Sequence, residues 1–286
     1  MTDKNIVSRR SFIFCPGLRP DMFPKAVNSG TDIVCIELED GIAPKDKDEA
    51  RKLTLSLFNT VLDGKGAELI VRVNSVRDEF GLADIRAILE TSSPPPAIML
   101  PKVKTPDEVK WVDELLSERE HKTRLHVIIE TNAGLEAVYD IAKSSNRIDA
   151  LFFGGVDMAA ELRCKNAWEP LLYARSRVAH AAAGADLDVI DVPYLDLEDL
   201  SGMIREAELV RDIGFSGKGC IHPKQISSIN EVFTPDGETV ANAKKIIKAF
   251  KDAETGLVVI DGKLIEKPVL RHMERVVAIA NRVSEK

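Results

Sequence analysis

Long apolar runs are missing from this chain: none of its 286 residues sits in one approaching the roughly 20 needed to cross a bilayer as a helix. The first ten residues, Met1 to Arg10, are polar and charged with no apolar stretch behind them, so no secretory signal is expected. Cysteine is scarce. Cys15, Cys35, Cys164 and Cys220 form no CxxC pair, and three of them lie inside apolar runs. That argues against a disulfide framework and for buried, reduced thiols in a cytoplasmic protein. Positive charge is not in excess either: 39 Lys and Arg face 46 Asp and Glu, giving a net charge of -7. No broad nucleic-acid or anionic-membrane surface is expected, although a local basic patch for a phosphorylated ligand is compatible with this balance. Clustered His and Cys ligands of the kind zinc prefers are absent. No nucleophile–base pairing stands out for serine or cysteine catalysis. There is no internal repeat, and the one low-complexity piece is the stiff turn Ser92-Ser93-Pro94-Pro95-Pro96.

What the chain does have is 44% hydrophobic and 30% charged residues, enough for one large domain or a domain plus an appendage. Short β-rich runs alternate with longer amphipathic stretches. The runs are Ser11–Gly17, Asp32–Glu39, Glu68–Asn74, Ala97–Val103, Leu125–Thr131, Ala150–Gly155, Asp188–Tyr194 and Lys218–Pro223. Ile33–Ile36 and Val127–Ile129 are continuously apolar, which suits strands covered on both faces. Between runs, Pro106–Arg119 places Val109, Val112, Leu115 and Leu116 on one helical face. Trp168–Gly184 repeats Leu171, Leu172, Val178 and Ala182 at helical spacing, with Gly184 as the expected C-cap. Eight strands, each followed by a helical or connecting segment, predict an α/β fold of the closed parallel (β/α)8 TIM-barrel type. An open doubly wound sheet with fewer strands is the alternative. The barrel is expected over 1–233 and a C-terminal helical extension over 234–286: a turn at Thr234–Gly237, a helix over Glu238–Ala253, an extended piece Gly256–Gly262 and a last helix over Pro268–Val283.

In such a barrel, chemistry sits where the strands end. The second run ends in Glu37-Leu38-Glu39-Asp40, the third in Arg72-Val73-Asn74 and the fourth in Pro101-Lys102. The fifth ends in Glu130-Thr131-Asn132, the sixth runs into Gly154-Gly155-Val156-Asp157, and the eighth ends in His222-Pro223. Each residue alone has an ordinary structural use: Glu39 or Asp40 as a helix cap, Arg72 as a snorkelling side chain, His222 as a satisfied core histidine. Their convergence on one rim points to chemistry instead. Glu130 and Asp157, on adjacent strand ends, offer two oxygen ligands to a hard cation such as Mg²⁺. Arg72 supplies a permanent, bidentate cation suited to a carboxylate or a developing oxyanion. Beside the Gly154-Gly155 turn, this set describes a site for a small oxo acid.

The chain also resembles the citrate lyase β-subunit-like branch of the HpcH/HpaI aldolase family, which includes malyl-CoA, citramalyl-CoA and β-methylmalyl-CoA lyases. The matching stretches are SFIFCPGLRPDMFPKA at 11–26, DIVCIELEDGIAPKDKDEAR at 32–51, IVRVN at 70–74, IMLPKV at 98–103, VIIETNAGLEAV at 127–138, FFGGVDMAAEL at 153–162, LLYARSRV at 171–178, GFSGKGCIHPKQI at 214–226 and DGKLIEKPVLRHMERV at 261–276. The resemblance implies a Mg²⁺-dependent carbon–carbon lyase that cleaves or forms a malyl-CoA-type 3-hydroxyacyl-CoA, with a short 2-oxo acid and acetyl-CoA or propionyl-CoA as the other side of the reaction. It implies Glu130 and Asp157 as metal ligands, Arg72 on the keto acid and enolate oxygen, and Glu39 and Asp40 near the metal's waters. Arg19, Lys25, Gly155, His222 and Pro223 would lie near the CoA or substrate. It further implies a homotrimer or hexamer in which the C-terminal segment of one subunit closes the next subunit's site. One position departs from the pattern: where the family's CoA lyases carry an aspartate as acid/base, this chain has Glu266. A thioesterase of malyl-CoA type, and a citrate lyase β subunit acting on an acyl-carrier protein, are the competing activities. A non-catalytic scaffold is a further alternative.

Overall fold

The computed structural model describes residues 7–59, 64, 66–253, 257–260 and 262–284. It divides into two compact units, residues 9–230 and residues 1–8 with 231–286.

The larger unit is a closed barrel of eight parallel strands in sequential order. They are β1 (Ser11–Pro16), β2 (Ile33–Glu37), β3 (Glu68–Arg72), β4 (Ala97–Leu100), β5 (Arg124–Ile129), β6 (Ile148–Phe153), β7 (Asp188–Asp191) and β8 (Gly217–Cys220). β1 closes the ring by pairing with both β2 and β8. The eight expected strands all form, and the open-sheet alternative is excluded. All eight are shorter at the C-terminal end than the sequence runs suggested. In β7, for example, the run to Tyr194 stops at Asp191, ahead of Pro193, whose ring nitrogen has no N–H to give a ladder.

The interior is a packed core. Phe12, Ile33, Cys35, Ile70, Ala97, Met99, Ile128, Ala150, Phe152 and Ile190 form one buried cluster, with Phe12 edge-on to Phe152 at 5.1 Å. Because side chains alternate along a strand, the same inward column runs polar, apolar, polar: Glu68, Ile70, Arg72 on β3, and His126, Ile128, Glu130 on and just past β5. The core therefore separates two polar ends. At the N-terminal end Arg9 bonds Glu68 at 2.7 Å and Asp188 at 2.9 Å and lies 3.6 Å from Asp149. Glu68, His126 and Asp149 bring ligand-type atoms within 4.8 Å of one another there, and the Arg9 and Arg124 guanidiniums face them.

Helices form where the spacing predicted them. Pro106–Glu118 starts with a capping box between Thr105 and Glu108. Trp168–Gly184 has the expected bounds, but its C-cap is Ala185, and Gly184 keeps helical geometry. The glycine serves close packing instead: a Cβ there would stand 2.8 Å from the Tyr139 ring. Cys15, Cys35 and Cys220 are buried and Cys164 half-buried, all as free thiols. Burial pushes the Cys15 thiol up to about 11 and the Cys220 thiol up to about 12, so both are inert at neutral pH.

In the smaller unit, helix Gly237–Asp252 and helix Lys267–Ser284 pack together. They flank an antiparallel hairpin of β9 (Leu257–Ile260) and β10 (Lys263–Glu266). The extended piece expected over Gly256–Gly262 is the first half of this hairpin, and Gly256 and Asp261 lie outside the described residues. Among the described residues no helix is long and apolar enough to cross a membrane.

Candidate active site

The C-terminal ends of β2 to β6 carry a connected group of charged side chains. Arg72, the last residue of β3, donates from Nε to Glu37 at 2.5 Å and places Nη1 3.3 Å from Glu39. Its guanidinium lies 4.6 Å from the centre of the Phe14 ring, so it is stacked as well as paired. Lys102, just past β4, donates to Glu39 and to Asp40, the latter at 2.9 Å. Its backbone N–H donates to Glu130 Oε1 at 2.8 Å. Asp157 follows on the first turn of helix Gly155–Leu162.

Local sequence explains why these groups hold their places. The Leu38-Glu39 backbone is gripped by Lys47, which donates to the carbonyls of Leu38 at 2.8 Å and Glu39 at 2.5 Å and to Asn74 Oδ1 at 2.5 Å. Asn74 in turn donates to Asp84 at 2.7 Å, and Arg51 pairs with Asp84. The exit from β5 is set by Thr131, whose hydroxyl caps helix Asn132–Glu136 through the Gly134 N–H and donates to the Val103 carbonyl. The exit from β6 requires glycine. A Cβ on residue 154 would stand 2.3 Å from Glu130 Oε2, so Gly154 is what lets the two strand ends approach.

Electrostatics divides the acids into two sets. The cations Arg72 and Lys102 pair with Glu37, Glu39 and Asp40. Asp40 is held below the usual carboxylate range by Lys102 against partial burial, while burial holds Glu39 above it despite Arg72 and Lys102. Glu130 and Asp157 receive no such partner among the described residues. Burial, with the neighbouring charges of Asp157 and Glu39, pushes the Glu130 carboxyl up to about 8. Two carboxylates near enough to act on one another, one of them buried and neither ion-paired to a cationic side chain among the described residues, suit a hard divalent cation. The residues present therefore fit Mg²⁺. Glu39 Oε2 is buried and accepts no hydrogen bond, but lies 3.3 Å from Arg72 Nη1 and is paired with it.

Of the residues singled out in the sequence, Glu39, Asp40, Arg72, Glu130, Gly155 and Asp157 come together at this rim. Gly155 itself is packed under Val192 and opens the helix that carries Asp157. Arg19 and His222 lie just beyond β1 and β8 at the same end of the barrel. Arg19 is exposed and bonded to Asp21 at 2.7 Å. His222 accepts from the Lys224 N–H, and Pro223 opens the short turn that follows. Lys25 is exposed on the short helix Phe23–Val27. Glu266 is exposed at the end of β10, in the smaller unit. Two participants were noted at strand ends but given no role: Glu37, the direct partner of Arg72, and Lys102. Glu37 stands in the same acidic run as Glu39, and Lys102 is a second basic side chain, after Arg72, on a rim rich in acids.

The family model for HpcH/HpaI aldolase/citrate lyase matches residues 10–223, the span of the barrel and its rim. The chain belongs to this family. Citrate lyase subunit beta of Leuconostoc mesenteroides subsp. cremoris is 30% identical over 96% of this chain and 93% of its own length. L-malyl-CoA/beta-methylmalyl-CoA lyase of Cereibacter sphaeroides is 32% identical over 96% and 95%. Among solved structures, the CitE protein of Mycobacterium tuberculosis in complex with magnesium, acetoacetate and coenzyme A superposes with a TM-score of 0.79. It is 27% identical and covers 96% of this chain and 98% of its own.

Proposed function

We propose that this family member is a Mg²⁺-dependent carbon–carbon lyase that cleaves or forms a malyl-CoA-type 3-hydroxyacyl-CoA. The products of cleavage are a short 2-oxo acid, glyoxylate or pyruvate, and acetyl-CoA or propionyl-CoA. The observation that carries this reading is the Glu130–Asp157 carboxylate pair beside an arginine that is fixed in place but still has N–H groups to offer. The names of the relatives, which act on malyl-CoA or belong to citrate lyase, and the magnesium, acetoacetate and coenzyme A held by the M. tuberculosis protein support it.

Glu130 and Asp157 would hold the metal, which when bound would supply Lewis-acid polarisation of an oxo-acid oxygen. Arg72 is kept in position by Glu37 and Phe14, and its remaining N–H groups would stabilise the oxygen on which negative charge develops. Glu39 and Asp40, both bonded to Lys102, orient water at the mouth of the site. Arg19, Lys25, Gly155, His222 and Pro223 line the approach for the CoA thioester. Glu266 moves the proton at the carbon next to the thioester, and does so in the site of a neighbouring subunit of a homotrimer or hexamer. On the hairpin, Glu266 pairs across from Leu257, and Leu264 from Val259. Leu257, Val259 and Leu264 are all exposed, so the glutamate shares its face with an uncovered apolar surface. A cytoplasmic location accords with the CoA thioester substrate.

The test is product identity. Purified protein is incubated with Mg²⁺ and, separately, malyl-CoA, citramalyl-CoA and β-methylmalyl-CoA, with oxo acid trapped as a hydrazone and thiol followed with a disulfide reagent. Oxo acid without thiol is expected, and Glu130→Ala and Asp157→Ala should each abolish it at saturating thioester. Thiol without oxo acid would make the protein a thioesterase. Activity only on an acyl-carrier protein would make it a citrate lyase subunit.

A further inference from the structure

Among the described residues, four that are not glycine have a positive φ: Lys102, Glu120, Arg163 and Asp186. Three have an ordinary reason. Glu120 follows helix Pro106–Glu118, Arg163 caps helix Gly155–Leu162, and Asp186 follows helix Trp168–Gly184, and a left-handed residue is a common way to end a helix. Lys102 ends no helix. It follows β4, where an extended conformation is the default, and its φ is 53°. A strained residue held in this way at a site asks for a local purpose.

The purpose is visible in its two sets of bonds. Its backbone N–H goes to Glu130 Oε1 at 2.8 Å, on the neighbouring strand end. Glu130 Oε2 lies on the other side, close over Gly154. The carboxylate is thus held between a donor on one oxygen and a glycine without a side chain beneath the other, with Oε2 left to coordinate. From the same residue, the ammonium reaches across the mouth past β3 to Glu39 and Asp40, beyond the end of β2. One residue ties three strand ends together.

We propose that Lys102 is a positioning residue: its left-handed backbone aims Glu130 at the metal, and its ammonium fixes the Glu39–Asp40 pair. The proposal rests on the reading of Glu130 as a metal ligand, and the two are separable by experiment. Groups that orient a metal ligand typically contribute about 10–100-fold in metal affinity.

The test is a series at one position, Lys102→Gly, Lys102→Asn, Lys102→Ala and Lys102→Val, in the full chain. All four remove the charge equally and differ in how readily they adopt the left-handed region, glycine most and valine least. Mn²⁺ binding is measured by electron paramagnetic resonance, with kcat and KM for the preferred thioester and thermal unfolding as a check on folding. Lys102→Gly and Lys102→Asn should bind Mn²⁺ within about threefold of each other, and Lys102→Val about 10–100-fold more weakly than Lys102→Gly, with Lys102→Ala between. If the valine variant does not fold, the comparison of Gly and Asn with Ala carries the same prediction. All four should lose at least about tenfold in kcat, because none holds Glu39 and Asp40. Equal Mn²⁺ affinity across the series overturns the backbone role, and parental kcat in Lys102→Gly overturns the side-chain role. Glu130→Gln is the control: should it bind Mn²⁺ as the parent does, the metal assignment itself has failed.

Discussion

Glu130 is a carboxyl group in surroundings that oppose its charge. Burial and the nearby Asp157 raise it to about 8, against an ordinary value near 4.5 in the unfolded chain. In the metal-free protein the folded state therefore keeps a proton that the unfolded state gives up. Stability from this residue is complete below about pH 4.5 and declines as pH rises through about 8. Glu130→Gln removes the penalty. In the presence of a chelator, that variant should match the parent near pH 4 and exceed it at pH 8 to 9 by on the order of 2–4 kcal/mol. Thermal unfolding across this range checks it, and a difference that does not change with pH would contradict the assignment. A divalent cation should reverse the order, because it replaces the proton in the parent alone. The rim position of Asp157 was legible in the sequence because it follows the Gly154-Gly155 turn after β6, and those of Arg72 and Glu130 because a charge stands where a recognisable strand ends. Lys102 ends one too, but a left-handed φ leaves no mark in composition or spacing, and its bonds depend on Glu39 and Glu130, which come from distant parts of the chain.

At the scale of elements, one strand serves two purposes at its two ends. On β3, Arg72 belongs to the rim and Glu68 to the opposite end, with Ile70 in the core between them. There Arg9 joins Glu68 of β3 to the first residue of β7, Asp188, and faces Asp149 of β6. Residues at the N-terminal face of such barrels serve stability rather than chemistry. Arg9→Met would leave Glu68 and Asp188 without the cation that joins them, while Asp149 keeps its pair with Arg124. A loss of about 3–5 kcal/mol is expected, the usual cost of removing one partner from a buried ion pair. Activity at low temperature should be nearly unchanged, since the packed core lies between the two ends. Tm and kcat measured on the same preparation separate the outcomes: a fall in kcat with Tm preserved would mean that the two ends communicate. The elements themselves were legible because apolar runs mark strands covered on both faces, as in Ile33–Ile36. Their ends were read too long because β-prone residues such as Val192 and Tyr194 continue the pattern past Asp191 without continuing the ladder. Gly184 was misread for a related reason: glycine marks close packing as often as a turn, and only the position of Tyr139 distinguishes the two.

For the whole molecule, the open question is which chain completes the site. The barrel rim carries Arg72, Glu130 and Asp157, whereas Glu266 lies in the other compact unit, on the hairpin face with Leu257, Val259 and Leu264. An exposed apolar face beside an acid is suited to being covered by another copy of the chain. If Glu266 acts in the neighbouring subunit's site, two inactive variants can complement each other. Glu130→Ala subunits have an intact Glu266 to lend, and Glu266→Gln subunits have an intact metal site to receive it. Each pure variant should be nearly inactive. Co-expressed in equal amounts and purified together, they should recover about a quarter of the parental kcat, since half the sites keep Glu130 and half of those adjoin a subunit that keeps Glu266. If the glutamate instead serves its own chain, every site in the mixture carries one defect or the other, and the activity will not exceed the average of the two pure variants.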